Sequence, residues 1–295
     1  MQGAEPGRGP REQDVRLPDG RRLRTVAAGI GDPLVVFESG AGVGASMWVP
    51  VQRRVAEQTR TLAYDRAGYG GSDDDPRGRS LVRIVADLVA LLDATGERAP
   101  VVLVGASFGG VVQRAIADAH LQRLAGLVVV DSTAATVMPR KLVPLLGVSY
   151  AAIALLSRVG LHRPVARALL QDAMDALPPE DRAHLERTVY AGRNWRAGER
   201  EGRWFGRILA VQKQWEATGL PDVPVTTLVG ERTGLGEGAF RPITTVMIAA
   251  SARFPHPARR RTRFRGDHRP GGSHGTRQVG PRPRLRFATL PAWPT

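Results

Sequence analysis

Gly105-Ala106-Ser107-Phe108-Gly109 separates an apolar run, Pro100-Val101-Val102-Leu103-Val104, from a stretch, Gly110 to His120, that reads as a helix. A continuous run of this kind is expected of a strand covered on both faces. Glycines two residues either side of Ser107 let the backbone turn sharply there, since neither carries a Cβ to clash. The corner lifts the Ser107 hydroxyl clear of the sheet. The helix that follows aims its N-terminal N–H groups at the same place, where they can stabilise negative charge on an attacked carbonyl oxygen. A nucleophilic serine needs this setting. A tight turn whose serine is only small and polar is the alternative.

Two further stretches bear on the choice. Leu34-Val35-Val36-Phe37 is a second buried strand and ends in Glu38-Ser39-Gly40-Ala41-Gly42-Val43-Gly44. After a helix near Met47 to Thr59 and a strand from Arg60 to Tyr64 comes Asp65-Arg66-Ala67-Gly68-Tyr69-Gly70-Gly71-Ser72. Together with the Gly-x-Ser-x-Gly corner, these stretches resemble the α/β-hydrolase superfamily, in which that corner carries the nucleophile. The Asp-x-x-Gly-x-Gly-x-Ser turn is the most specific of the three, and its glycines suggest a structural role. By the resemblance, the oxyanion hole consists of the amides of Ala41 and Phe108. Ser39 stands where the superfamily usually has histidine, which leaves a backbone donor intact. The glycine loop could instead be a plain connection or a phosphate cradle, but it is not G-x-G-x-x-G and no Lys-Ser/Thr follows it.

The resemblance implies a mostly parallel α/β-hydrolase sheet flanked by helices, with a helical cap inserted between the sixth and seventh core strands. Residues 1–13 are expected to be a flexible N-terminus, 14–135 the first part of the core, 136–220 the cap and 221–254 the rest of the core. Asp14 to Ala28 reads as an opening hairpin around Asp19-Gly20. Ser80 to Thr95 is a helix with one apolar face. Leu124 to Val130 is a strand ending in Asp131-Ser132. In the cap, helices are expected at Leu142 to Leu156, Pro164 to Asp175, Pro178 to Tyr190 and Glu199 to Glu216. Tyr150, Trp195, Trp204, Phe205 and Trp215 either pack these helices together or line an apolar pocket.

A serine hydroxyl is a poor nucleophile until a histidine takes its proton, and a carboxylate holds that histidine. The resemblance offers Glu231, after the strand Val223 to Val229, and Asp131 as the acid. The histidine falls close to His268, with His274 as the next candidate, and the alternative is that neither reaches Ser107. There the pattern breaks, because Pro255 to Arg265 reads PHPARRRTRFR, and a strand packed between helices cannot bury arginines on both faces. Residues 255–295 form an aberrant Arg/Pro/Gly-rich tail. They read either as a disordered basic extension or as GC-rich coding sequence translated out of frame.

Composition narrows the function classes. With 295 residues, 42% of them hydrophobic, the chain can bury a full core. It has no cysteine, which excludes a disulfide, a thiolate nucleophile or a cysteine-bound metal, and fits a reducing cytoplasm. The net charge is +14, but eleven arginines after residue 252, against the single acid Asp267, account for ten of those charges. The body is ordinary, which argues against nucleic acid as a partner. The N-terminus has no apolar segment of the signal-peptide kind, and Leu142 to Leu156 falls short of the ~20 residues that span a bilayer. The expectation is a cytoplasmic serine hydrolase that cleaves a carboxylic ester or related small acyl compound without metal or cofactor. A catalytically impaired, hydrolase-like binding protein with an incomplete triad is the alternative.

Overall fold

The computed structural model of the chain describes residues 9–132, 142–175, 177–203, 219 and 221–228. The opening hairpin pairs β1 (Arg11–Arg16) with β2 (Arg22–Ala28) around Gly20, whose φ of +88° suits glycine. β1 starts at Arg11 rather than at Asp14, so the segment expected to be flexible is already paired there. Arg24 on β2 explains the extension, because it reaches across to Asp14 at 2.6 Å and Glu12 at 3.0 Å.

The remaining strands among the described residues are β3 (Val35–Glu38), β4 (Thr61–Tyr64), β5 (Val101–Ala106), β6 (Leu124–Val130) and β7 (Val225–Leu228). They form one sheet in the order β1-β2-β4-β3-β5-β6-β7, antiparallel at the β1 edge and parallel from β4 onward. The sheet and its flanking helices are those of the expected fold class.

Both faces of the sheet are covered, which is why β5 is apolar throughout and β3 is apolar up to Glu38 rather than alternating. On one face, Ile84, Leu88, Leu91 and Leu92 of α2 (Leu81–Ala94) and Val111, Val112 and Ile116 of α3 (Phe108–His120) pack on Val36, Leu62, Leu103 and Leu127. Ser80 caps α2 by accepting the Arg83 N–H at 3.3 Å. On the other face, Phe37, Ala63, Val104 and Ala106 meet Trp48, which precedes α1 (Val49–Val55).

Between β6 and β7, the described residues form four helices, α4 (Leu142–Arg158), α5 (His162–Asp175), α6 (Pro179–Val189) and α7 (Gly192–Gly202). They share a separate apolar cluster of Ile153, Ala166, Met174, Leu185, Val189, Tyr190 and Trp195, with Tyr150 against it. Tyr150 and Trp195 therefore pack helices together; Trp204, Phe205 and Trp215 lie outside the described residues. α7 begins at Gly192, ahead of the expected Glu199. Helix propensity disfavours Gly192 and Gly198 by roughly 1 kcal/mol each, but both sit where a neighbour comes close. A Cβ on Gly192 would come within 3.1 Å of the Ser157 side chain, and one on Gly198 within 2.9 Å of the Gly42 nitrogen. Among the described residues, no helix is long and apolar enough to cross a membrane.

The strand order reverses at β3. From there the chain goes to β4 on one side and then to β5 on the other. In open α/β sheets a crevice opens at the carboxyl ends of the strands at such a point, and ligands bind in it. Here the crevice is bounded by Glu38 to Gly44 after β3 and by Ser107 after β5.

Candidate active site

Ser107 occupies the turn from β5 into α3 with φ +52° and ψ −115°, a conformation that a residue with a Cβ rarely adopts, and it is exposed. Strain of this kind costs on the order of 1–3 kcal/mol and persists only where the surroundings enforce it. Its neighbours do so. A Cβ on Gly105 would press on the Gln113 side chain and lie 2.8 Å from the Gly109 carbonyl carbon, and one on Gly109 would overlap the Glu38 carbonyl oxygen. The Ser107 N–H is fixed to the Val130 carbonyl at 3.1 Å, and its own carbonyl accepts the Ser132 hydroxyl at 2.8 Å. Only the Ser107 side chain is left to face the crevice.

The loop after β3 lies against it. A Cβ on Gly40 would sit 3.4 Å from the Ser107 Cβ, so Gly40 packs closely against Ser107. The phosphate-cradle alternative meets an obstacle, because the Asp65 carboxylate already accepts the Ala45 N–H at 2.7 Å and the Gly71 N–H at 3.1 Å. This bridging role explains the Asp-x-x-Gly-x-Gly-x-Ser turn. A Cβ on Gly70 (φ +42°) would overlap the carboxylate, and the Ser72 hydroxyl donates to the Asp65 carbonyl at 2.6 Å while accepting the Arg24 N–H at 2.9 Å. Burial raises the Asp65 carboxyl above its ordinary range against those backbone donors.

Beneath the loop is a buried ionic network. Arg66 donates from Nη1 to the Ser39 carbonyl at 2.6 Å and from Nη2 to the Gly40 carbonyl at 2.9 Å. Its other edge grips Glu201 of α7, Nε to Oε1 at 2.9 Å and Nη2 to Oε2 at 2.8 Å. Arg66 also pairs with Glu38, which accepts the Tyr64 hydroxyl, and Arg79 pairs with Glu201. Tyr69 donates its hydroxyl proton to Glu201 at 2.6 Å and accepts the Gly42 N–H at 3.1 Å. The four charged side chains are 0–3% exposed. Two arginines and two carboxylates leave no net charge, as burial demands.

The two carboxylates respond differently. At Glu201 burial is opposed by Arg66, Arg79 and the Tyr69 hydroxyl, and the carboxyl is held down to about 2. At Glu38 burial outweighs Arg66 and Tyr64, and the carboxyl is pushed up.

Of the residues expected at the site, the fold brings Ser107, Phe108, Ala41 and Asp131 to one end of the sheet. Phe108 is the first residue of α3, and its buried ring lies 5.4 Å from the Arg66 guanidinium. Asp131 ends β6 one strand from Ser107, exposed and at φ +40°, with its N–H on the Leu228 carbonyl at 2.9 Å. Glu231 and His268 lie outside the described residues. Sequence reasoning missed Glu38, Arg66, Tyr69 and Glu201. For Glu38 there was a signal, a carboxylate closing an otherwise apolar strand.

A family model described as the alpha/beta hydrolase family matches residues 35–290. A protein of Hormonema carpetanum named as a transporter, EfuK, is 36% identical over 114 residues, 37% of this chain and 16% of that protein. RutD of Azorhizobium caulinodans, by name a carbamate hydrolase, is 34% identical over 107 residues, 36% of this chain and 39% of that protein. The chain thus spans less than half the length of these curated relatives. Among solved structures, an esterase of Thermogutta terrifontis superposes with a TM-score of 0.61 at 20% identity, covering 81% of this chain and 86% of that one.

Proposed function

Since this chain belongs to the alpha/beta hydrolase family, we propose that it is a serine hydrolase that cleaves a carboxylic ester, or a related acyl compound such as a carbamate, through an acyl-enzyme on Ser107. The observation that carries the reading is the strained, exposed Ser107 at the switch point of the sheet, with Gly40 packed against it.

In this mechanism the Ser107 oxygen attacks the acyl carbon while His268 takes the hydroxyl proton, held by Glu231 or Asp131. The amides of Ala41 and Phe108 receive the oxyanion. Phe108 lends the positive end of the α3 dipole. The Gly40 carbonyl points at Arg66, and in a trans peptide the Ala41 N–H points the opposite way, away from the guanidinium. Collapse of the tetrahedral adduct expels the alcohol, which leaves with the proton from His268. Water then attacks the acyl-enzyme, gives its proton to the same base and releases the acid. α4–α7 form the cap in this reading, and the cysteine-free composition fits a cytoplasmic setting.

The test is hydrolysis of short and medium p-nitrophenyl esters and a p-nitrophenyl carbamate by the full chain, with Ser107→Ala and His268→Ala in parallel. Turnover should fall by about 10³-fold or more in both variants. A wild type no faster than Ser107→Ala would overturn the reading and favour an impaired, hydrolase-like binder.

A further inference from the structure

We propose that Glu201, on α7 and far from the nucleophile in sequence, is a positioning residue that sets the donor geometry of the Ser39–Gly42 loop. The inference rests on the serine-hydrolase reading of Ser107 and adds to it the part that aims the Ala41 amide.

The loop has little means of holding itself. It contains two glycines, and its backbone groups find their partners outside it. The Ser39 and Gly40 carbonyls are taken by Arg66, the Ala41 carbonyl by the Tyr150 hydroxyl at 2.9 Å, and the Gly42 N–H by Tyr69. The orientation of the Gly40-Ala41 peptide, and with it the direction of the Ala41 N–H, is therefore dictated by Arg66 and Tyr69.

Glu201 dictates the state of both. Its two oxygens meet the Nε and Nη2 of Arg66 as a fork, which fixes the guanidinium plane and so the direction of the two donors that reach the loop. It also commits the single Tyr69 hydroxyl proton. With that proton on Glu201, the lone pair is left to accept from Gly42. An amide in place of the carboxylate has one acceptor and two donors. In one orientation its N–H groups face Arg66 Nε and Arg79, and in the other they face Arg66 Nη2 and Tyr69, so the guanidinium swings in both and in the second the hydroxyl also turns its proton toward the Gly42 N–H. Gly198, one turn before Glu201 on the same face of α7, seats the helix so close to the loop that a Cβ there would come within 3.0 Å of the Gly42 Cα. α7 is pinned in place by further contacts, with Arg193 on the Gly70 and Ser72 carbonyls and Asn194 on the Gly70 N–H.

The experiment compares Glu201→Gln with Arg79→Gln in the full chain. Arg79 touches Glu201 and not the loop, so its loss disturbs the same buried charge balance while leaving the loop contacts in place. On p-nitrophenyl acetate, Glu201→Gln should lower kcat about 10- to 100-fold with KM within about threefold, as expected for a misdirected oxyanion donor. Affinity for phenylboronic acid, whose tetrahedral adduct needs that donor, should fall in the same proportion. Arg79→Gln should lose melting temperature and keep kcat within about threefold. If Glu201→Gln does not fold, Gly198→Ala carries the test, because it crowds Gly42 without removing a charge and should show the same split of kcat from KM. The inference is overturned alone if Ser107-dependent turnover survives Glu201→Gln unchanged, or if kcat in both charge variants simply follows melting temperature. A wild type without Ser107-dependent turnover overturns the inference and the serine-hydrolase reading together.

Discussion

The two walls of the crevice are held in place by opposite means. On the β5 side, Gly105 to Gly109 is fixed by what is missing: two glycines without Cβ atoms let the Gln113 side chain and the Glu38 backbone come close. On the β3 side, Glu38 to Gly42 is fixed by what is added, a buried set of ions and hydroxyls drawn from β4, the turn after it and α7. Steric control is cheap and stiff. Ionic control works only when every partner is present, so the second wall should be the easier one to break.

The sharpest test of that difference is Arg66→Met. Methionine fills much of the space but leaves Glu38 and Glu201 buried without their shared cation. Breaking a buried ion pair from one side costs about 3–5 kcal/mol, which is to be read from the urea midpoint. A loss below about 1 kcal/mol would show that water or rearrangement compensates, and that the β3 wall is not held ionically.

A pH titration of stability separates the two carboxylates. Glu201 is held down to about 2 in the folded chain, below its unfolded value of about 4.3. A depressed carboxyl contributes stability that is present above about pH 4.3 and is lost as the pH falls toward 2, on the order of 3 kcal/mol in all. Glu38 is shifted the other way. Its contribution is present below its unfolded value and is lost as the pH rises through its higher folded value. Glu201→Gln should therefore flatten the acid limb of the stability curve, and Glu38→Gln should leave that limb steep and flatten the limb above it. Equal flattening by both would mean that the network titrates as one unit.

Gly109→Ala tests the steric wall. The added methyl meets the Glu38 backbone, which cannot step aside as a flexible side chain could. Overpacking of this kind costs about 1–3 kcal/mol. Because the group displaced is the end of β3, turnover should fall with stability; stable protein with full activity would show that the close approach is dispensable.

This contrast also explains what the sequence could reveal. The corner at Ser107 was legible because its cause is local: glycines at fixed offsets, an apolar run before them and a helix after. The strands and α2 were legible by the same kind of spacing. The ionic wall was not, because Arg66 and Glu201 are 135 residues apart and nothing in either neighbourhood announces the other. Glu199, Arg200 and Arg203 surround Glu201 and read as a solvated helical face, yet Glu201 is fully buried. Gly192 and Gly198 hid the first turns of α7 for a related reason, since tertiary contact overrode their low helix propensity.

Ser72 offers the smallest and most discriminating perturbation, because it belongs to the recognisable motif but supports the β3 wall only indirectly. Its hydroxyl joins the Asp65 carbonyl to the Arg24 N–H, tying the turn after β4 to the hairpin. Ser72→Ala removes one buried bridging hydroxyl and leaves a donor and an acceptor to find other partners, which costs about 1–2 kcal/mol. Arg66, Tyr69 and Glu201 keep every contact they make with the loop, so kcat on p-nitrophenyl acetate should stay within about twofold of wild type while the urea midpoint falls. If kcat drops tenfold, the turn after β4 is itself part of what aims the loop. The comparison would then be between a local wall and one maintained by the whole edge of the sheet.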